Sequence, residues 1–219
     1  MQSFESGPHD DAPVRSMGAS LTHAAAAAIC VHGRGATAES ILELAKAAFV
    51  PGVAYLAPQA ANQTWYPKSF LSPIPENEPG ISSGMACLAR LVATVQAAGV
   101  PSTRIVFLGF SQGACLSLEF VARHVQRYGA AIGLSGALIG PPGTPREYTG
   151  SLGGTPIFLG CSDVDSHIPL WRVEESAAVF TRMGADVDKR IYPGMGHTVS
   201  PDELKAVRDL ITSAASDER

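Results

Sequence analysis

The chain reads as one α/β domain in which a mostly parallel sheet is covered by helices on both faces. Three observations predict this. The runs Ala26–Val31, 53–59 and 105–108 are short and almost wholly apolar, as strands buried on both faces are. Stretches with helical apolar spacing alternate with them, which favours parallel pairing through crossover helices. At 219 residues, 46% of them apolar, the chain is long enough to bury a substantial core, and its length is ordinary for one domain.

Taken in order, residues 1–18, with Gly7-Pro8-His9-Asp10-Asp11 and Pro13, read as an extended or mobile N-terminal arm, so the domain is expected over 19–219. The alanine run from Ala24 resembles a signal-peptide core only superficially. It begins late, lacks a basic flank and runs straight into His32-Gly33, so it is read as the first buried strand. Residues 37–49 follow as a helix with Ile41, Leu44, Ala45 and Ala48 on one side, and 53–59 as a strand. Segment 62–79 carries Trp65, Tyr66, Phe70 and several prolines and is too irregular for a strand or helix. These three aromatics are candidates for substrate contact, with simple packing of the loop onto the domain as the alternative. From 81 to 98 a helix shows Ile81, Met85, Leu88, Val92 and Val95 at steps of four, three, four and three, ended by Gly99 and Pro101.

The strand 105–108 leads into Gly109-Phe110-Ser111-Gln112-Gly113, and a helical pattern with Ala114, Leu116, Leu118 and Val121 begins at once. A strand that becomes a helix at Ser111 forces that residue into a strained turn and leaves no room for side chains at the flanking glycines. The hydroxyl is then held out at the positive end of the following helix, with the Gln112 N–H free to face a developing oxyanion. For the second donor the candidate is the Arg34 N–H in His32-Gly33-Arg34-Gly35, at the end of the first strand.

A strand at 130–135 is followed by 136–154, a Gly/Pro-rich loop in place of the helix that the alternation calls for, and this too is expected to shape a substrate pocket. The strand 155–160 ends in a loop with two carboxylates, Asp163 and Asp165. A helix at 170–183 and a strand at 187–191 come next, and then Tyr192-Pro193-Gly194-Met195-Gly196-His197. Ser200-Pro201-Asp202-Glu203 starts the last helix, with Ser200 as cap, proline at the first helical position and Glu203 completing a capping box. His197 thus sits at the carboxyl edge of the sheet, where catalytic groups gather.

A serine hydroxyl is a poor nucleophile at neutral pH and needs a base, and histidine titrates nearest that pH. A carboxylate must fix the imidazole tautomer and stabilise the imidazolium. The order Ser111, then Asp163 or Asp165, then His197 supplies all three types. Among the other histidines, His9 and His23 fall in or near the arm, His124 in a helix, and His167 too near Asp165 to be oriented by it.

These residues resemble the phospholipase/carboxylesterase family of small α/β-hydrolases, which includes the acyl-protein thioesterases. The likeness runs from about Ala25 to Leu210 and rests on His32-Gly33-x-Gly35, the Phe-Ser-Gln core of the serine motif, Asp-x-x-Ile-Pro from Asp165 to Pro169, and Gly196-His197. Thr64-Trp65-Tyr66-Pro67 and Asn77-Glu78-Pro79-Gly80 look like a bacterial branch described as carboxylesterases or phospholipase-like hydrolases. The resemblance implies an α/β-hydrolase fold with Ser111 as nucleophile, His197 as base and then acid, and Asp165 as the orienting acid. Asp163 matches by its distance from Gly160 and Asp165 by its distance to Pro169. The implied activity is cleavage of carboxylic esters of small or medium acyl groups, with thioesters or lysophospholipids as alternatives.

Other classes fit less well. Gly33-Arg34-Gly35-Ala36-Thr37-Ala38 has the form of a dinucleotide-binding turn, but the second strand ends without the acidic residue that would hold a ribose. A hydrolase-fold binding protein without turnover is disfavoured by the complete set of catalytic types. The net charge of −4 offers no basic stripe for nucleic acid, and no apolar run is long enough to span a bilayer. Cys30, Cys87, Cys115 and Cys161 have no metal-ligand spacing and read as buried reduced thiols, which points to the cytoplasm, with no metal and no cofactor. A small-molecule ester is the expected partner, and monomer and homodimer both remain open.

Overall fold

The computed structural model describes residues 7–216. Its sheet has the strands β1 (Val14–Gly18), β2 (Ala26–Val31), β3 (Val53–Pro58), β4 (Ile105–Phe110), β5 (Ala130–Leu134), β6 (Pro156–Ser162) and β7 (Asp186–Tyr192), in the spatial order β1-β3-β2-β4-β5-β6-β7. Only β1 runs antiparallel to its neighbour, pairing Val14 with Pro58 through Gly18 with Ala54. The parallel strands are joined by crossovers carrying α1 (Ala38–Ala47), α2 (Gly80–Ala97), α3 (Gln112–Arg123) and α4 (Leu170–Arg182), and α5 (Pro201–Ala215) follows β7. Between β5 and β6 the chain makes no helix, as the composition of 136–154 predicts.

The period-two alternation of the strands divides the core into two layers. Ala27, Ile29 and Val31 of β2 face α2, α3 and α4, packing with Phe107, Ile81, Leu88, Leu116, Val173 and Phe180. Ala26, Ala28 and Cys30 face α1 and α5, packing with Leu108, Ile132, Ile41, Ala45, Val207 and Ile211. Alanines fill much of β2, so helices can lie close on both faces of the central strands. Ser200 caps α5 as expected: it accepts from the Glu203 N–H, and the Glu203 carboxylate accepts from the Ser200 N–H.

The expectation of a mobile arm over 1–18 is corrected for its described part; residues 1–6 lie outside the described residues. Residues 14–18 are β1, and the Gln59 N–H donates to the Pro13 carbonyl. His9 is buried, and its N–H donates to Ser83 Oγ on α2 (2.8 Å). Pro, Gly and Asp make this stretch read as irregular, yet its order comes from partners on other elements, which local composition does not carry. Among the described residues, no helix is long and apolar enough to cross a membrane.

Because β2, β4, β6 and β7 are parallel, the segments after their carboxyl ends, at 32–35, 111, 163–168 and 193–197, gather at one edge of the sheet.

Candidate active site

Ser111 stands between β4 and α3 with φ 54° and ψ −120°, a conformation that costs an L-residue on the order of 1–3 kcal/mol and needs a surrounding structure that enforces it. The enforcement is visible. The Ser111 N–H donates to the Leu134 carbonyl of β5 (2.9 Å), and the Ser111 carbonyl accepts from the Cys115 N–H. A Cβ on Gly113 would lie 2.1 Å from the Val31 carbonyl oxygen, and one on Gly109 2.5 Å from Ala114 Cα. The two glycines therefore let α3 start directly against β2 and β4, and the turn has no slack.

The His197 ring lies between the serine and a carboxylate: Nε2 is 2.9 Å from Ser111 Oγ and Nδ1 is 2.7 Å from Asp165 Oδ2. A carboxylate at Nδ1 makes that nitrogen the donor, which leaves Nε2 as the acceptor for the serine hydroxyl. The ring packs on Phe110 (centroids 5.1 Å apart) and edge-on against His167 (4.7 Å). Asp165 Oδ1 accepts from the His167 and Ile168 N–H groups at 2.8 and 3.0 Å. Burial pushes the Asp165 carboxyl up, but the bonds from the His197 ring and these two N–H groups outweigh it and hold the group below the usual carboxylate range. Asp163 does something else: its Oδ1 accepts from the Gly194 N–H (2.8 Å), while Ser162 Oγ accepts from the Gly196 N–H. Of the two carboxylates the sequence offers, Asp165 contacts the imidazole and Asp163 ties down the loop that carries it.

The 33–35 turn lies against the serine, since a Cβ on Gly33 would be 3.3 Å from Ser111 Cβ. Arg34 and Gln112 both line the same cavity as Ser111. As the first residue of α3, Gln112 has no intrahelical acceptor for its N–H. Its side chain is committed elsewhere. Gln112 Nε2 donates to the Tyr66 carbonyl (2.7 Å), and Oε1 accepts from the Trp65 N–H (2.9 Å).

The cavity, about 450 Å³, includes Tyr66, Phe70, Phe110 and Ile168 as apolar lining and Lys68, His167 and His197 as polar lining. That volume lies within the ordinary range for small-molecule sites. The three aromatic candidates separate here. Tyr66 and Phe70 are wall residues, but Trp65 is fully buried outside the cavity, and its Nε1–H donates to the His32 carbonyl (2.9 Å). For Trp65 the packing alternative holds, because an indole whose only polar group has found a buried partner gains nothing by facing solvent. The expectation that 136–154 shapes the pocket is corrected in the same way. It contributes no lining residue, and its Gly140 N–H supports the wall from behind by donating to the Phe70 carbonyl (2.7 Å).

The sequence reading gives no site role to His167, Lys68 or the His32 ring, nor to the side chain of Arg34. His167 was set aside as too close to Asp165, yet its ring lines the cavity and touches His197. Lys68 and Arg34 line the cavity, and the Arg34 guanidinium donates to the Pro67 (2.7 Å) and Lys68 carbonyls. His32 is buried, its Nδ1 bonded to the Gly33 carbonyl (2.7 Å) while Nε2 accepts from the Ala60 N–H (3.1 Å). Burial lowers its pKa below the usual histidine value. The His-Gly pair at the end of β2 was the available signal for His32; the others sit on loops whose approach no local pattern encodes.

Comparison with known proteins follows the same outline. A phospholipase/carboxylesterase from Dyadobacter fermentans superposes with a TM-score of 0.88 at 39% identity, covering 92% of this chain and 96% of that one. Acyl-protein thioesterase 1 of Eremothecium gossypii is 31% identical over 74% of this chain and 72% of its own length. Acyl-protein thioesterase 1 of Gibberella zeae is 30% identical over 62% of this chain, and the match spans 59% of that protein's length. The family description Phospholipase/Carboxylesterase matches residues 16–214, nearly the whole of the sheet and all five helices, and the chain belongs to that family.

Proposed function

We propose that this chain is a serine hydrolase that cleaves carboxylic esters of small or medium acyl groups through an acyl-enzyme. The observation that carries the reading is the continuous relay from Asp165 through His197 to Ser111, with both bonds at or below 2.9 Å and the serine on a strained turn. Ser111 Oγ adds to the ester carbonyl carbon as its proton passes to His197 Nε2. The carbonyl electron pair moves onto oxygen, which the Arg34 and Gln112 N–H groups face. The intermediate collapses and expels the alcohol, which takes the proton from His197. Water activated by the same ring then attacks the acyl-serine and releases the acid, regenerating the hydroxyl. Asp165 stays ionised and stabilises the imidazolium in each half-reaction.

Tyr66 and Phe70 are assigned to the acyl or alcohol group, from their place in the cavity wall. The same relay serves an acyl thioester or a lysophospholipid, and the names of the thioesterase relatives favour including a thioester among the substrates tested. A binding protein without turnover would have no need of a strained serine in register with a base. We place the chain in the cytoplasm, on the support of four buried, unpaired cysteines.

The test is labelling with a fluorophosphonate probe, followed by turnover of p-nitrophenyl esters of increasing chain length beside a matched acyl thioester. Ser111→Ala is expected to abolish labelling and lower turnover by roughly 10⁴-fold or more with the fold retained. Undiminished turnover in that variant overturns the reading.

A further inference from the structure

We propose that His9 is a positioning residue for the oxyanion site, an inference that rests on the hydrolase reading above. It holds the 61–66 segment against the Gln112 side chain and against the 32–35 turn, and so fixes both the Arg34 N–H carried by that turn and the Tyr66 wall.

The chain of contacts is continuous. His9 Nδ1 accepts from the Ala61 N–H (3.2 Å), which makes Nε2 the donor to the Trp65 carbonyl (2.9 Å). The Trp65 N–H in turn donates to Gln112 Oε1, and Gln112 Nε2 donates to the Tyr66 carbonyl. The Trp65 carbonyl is therefore held by a histidine, and the Trp65 N–H and Tyr66 carbonyl by the residue after the proposed nucleophile. The Trp65 indole is packed between two rings, with centroids 5.1 Å from His9 and 5.2 Å from His32. His9 itself has no freedom to move. Its N–H donates to Ser83 Oγ, its carbonyl accepts from Arg90 (2.8 Å), and its relative exposure is 1%. A neutral ring is the only form that can accept from Ala61 while donating to Trp65, and burial lowers the His9 pKa in the direction that favours this form. The charged and titratable groups facing it are Asp10 beside it, Arg90 on α2, and His32 across Trp65.

The elbow fixes the backbone of Gln112, but the Arg34 turn and the Tyr66 wall depend on 61–66: the Gly35 N–H donates to the Gln63 carbonyl (2.7 Å), Trp65 Nε1–H donates to the His32 carbonyl (2.9 Å), and Gln112 Nε2 holds the Tyr66 carbonyl. Loss of the Ala61 and Trp65 bonds lets 61–66 drift and takes the 33–35 turn with it through the Gly35–Gln63 bond, and a displacement near 1 Å at a catalytic donor costs up to about a hundredfold in rate.

The experiment compares His9→Ala, His9→Gln and Ile211→Ala in the full-length protein, with a short p-nitrophenyl ester as substrate. Ile211→Ala removes a buried side chain on the opposite face of the sheet and controls for lost stability. Expected for His9→Ala is a kcat loss of about ten- to a hundredfold with KM changed by less than about threefold. Glutamine has one acceptor and one donor group to offer Ala61 and Trp65, so His9→Gln is expected to recover most of kcat. Ile211→Ala is expected to lower Tm and leave kcat unchanged. Wild-type kcat in His9→Ala, an equal loss in Ile211→Ala, or no recovery in His9→Gln overturns the proposal. These outcomes are distinct from failure of the hydrolase reading, which is decided by Ser111→Ala alone.

Discussion

Replacing Asp165 or Asp163 by asparagine separates two carboxylates that sit two residues apart on one loop and do different work. Asp165 Oδ2 meets His197 Nδ1 at 2.7 Å, and Oδ1 accepts from two backbone N–H groups. In Asp165→Asn the amide oxygen can keep those two backbone bonds, so the NH₂ group is turned toward the imidazole. A donor there forces the proton onto Nε2, and the ring can no longer accept from Ser111. The expected loss in kcat is on the order of 10⁴-fold, equivalent to about 5.4 kcal/mol of transition-state stabilisation, with Tm little changed. Asp163→Asn keeps an oxygen for the Gly194 N–H, so its kcat should stay within about threefold of wild type. Asp163→Ala deletes that bond and should cost about 1 kcal/mol of stability. The assay is kcat on a p-nitrophenyl ester together with the thermal midpoint of each variant. A collapse of turnover in Asp163→Asn with turnover retained in Asp165→Asn would refute the reasoning, because it would mean that the loop rearranges to present the other carboxylate.

Gly113→Ala places a methyl group 2.1 Å from the Val31 carbonyl oxygen, so backbone must shift. A loss of about 3 kcal/mol or more is expected, together with loss of probe labelling. Gly52→Ala, at φ +81° with open space around it, should cost only about 1–2 kcal/mol and leave labelling intact; denaturant titration distinguishes them. Trp65→Phe strips the His32 carbonyl of its indole partner and should lower stability by about 1–3 kcal/mol without changing the acyl chain-length profile, and an altered profile would return Trp65 to the substrate site. His9 and His32 are both lowered from 6.5 by burial, so below about pH 6.5 the unfolded chain binds more protons than the folded one. Their contribution is fully present above that pH and declines as pH falls toward the folded values. Tm measured from pH 7.5 to 5 should drop more steeply in wild type than in His9→Gln, and equal slopes would contradict the assignment.

The architecture, and the candidate groups that the proposed reaction uses, can be read from the order of residues alone. Strands buried on both faces declare themselves as short apolar runs, and amphipathic helices by their period, so β2 to β7 and all five helices are legible within a residue or two. The nucleophile turn is legible for a related reason: a strand that gives way to a helix between two glycines admits few conformations. The capping box at Ser200 is likewise local, formed within four residues. Tertiary structure decided whatever depends on approach between distant segments. Asp163 and Asp165 are indistinguishable in chemistry and two residues apart. Only the direction in which their loop leaves β6 sends one to His197 and the other to Gly194. Trp65 and Tyr66 are adjacent aromatics in one irregular loop, and the path of its backbone past Gln112 buries one and makes the other a wall. His9 reads as part of a loose arm because its segment is rich in Gly, Pro and Asp. Its order comes from hydrogen bonds to Trp65, Ser83 and Arg90, partners on other elements that appear only once the sheet has brought them together.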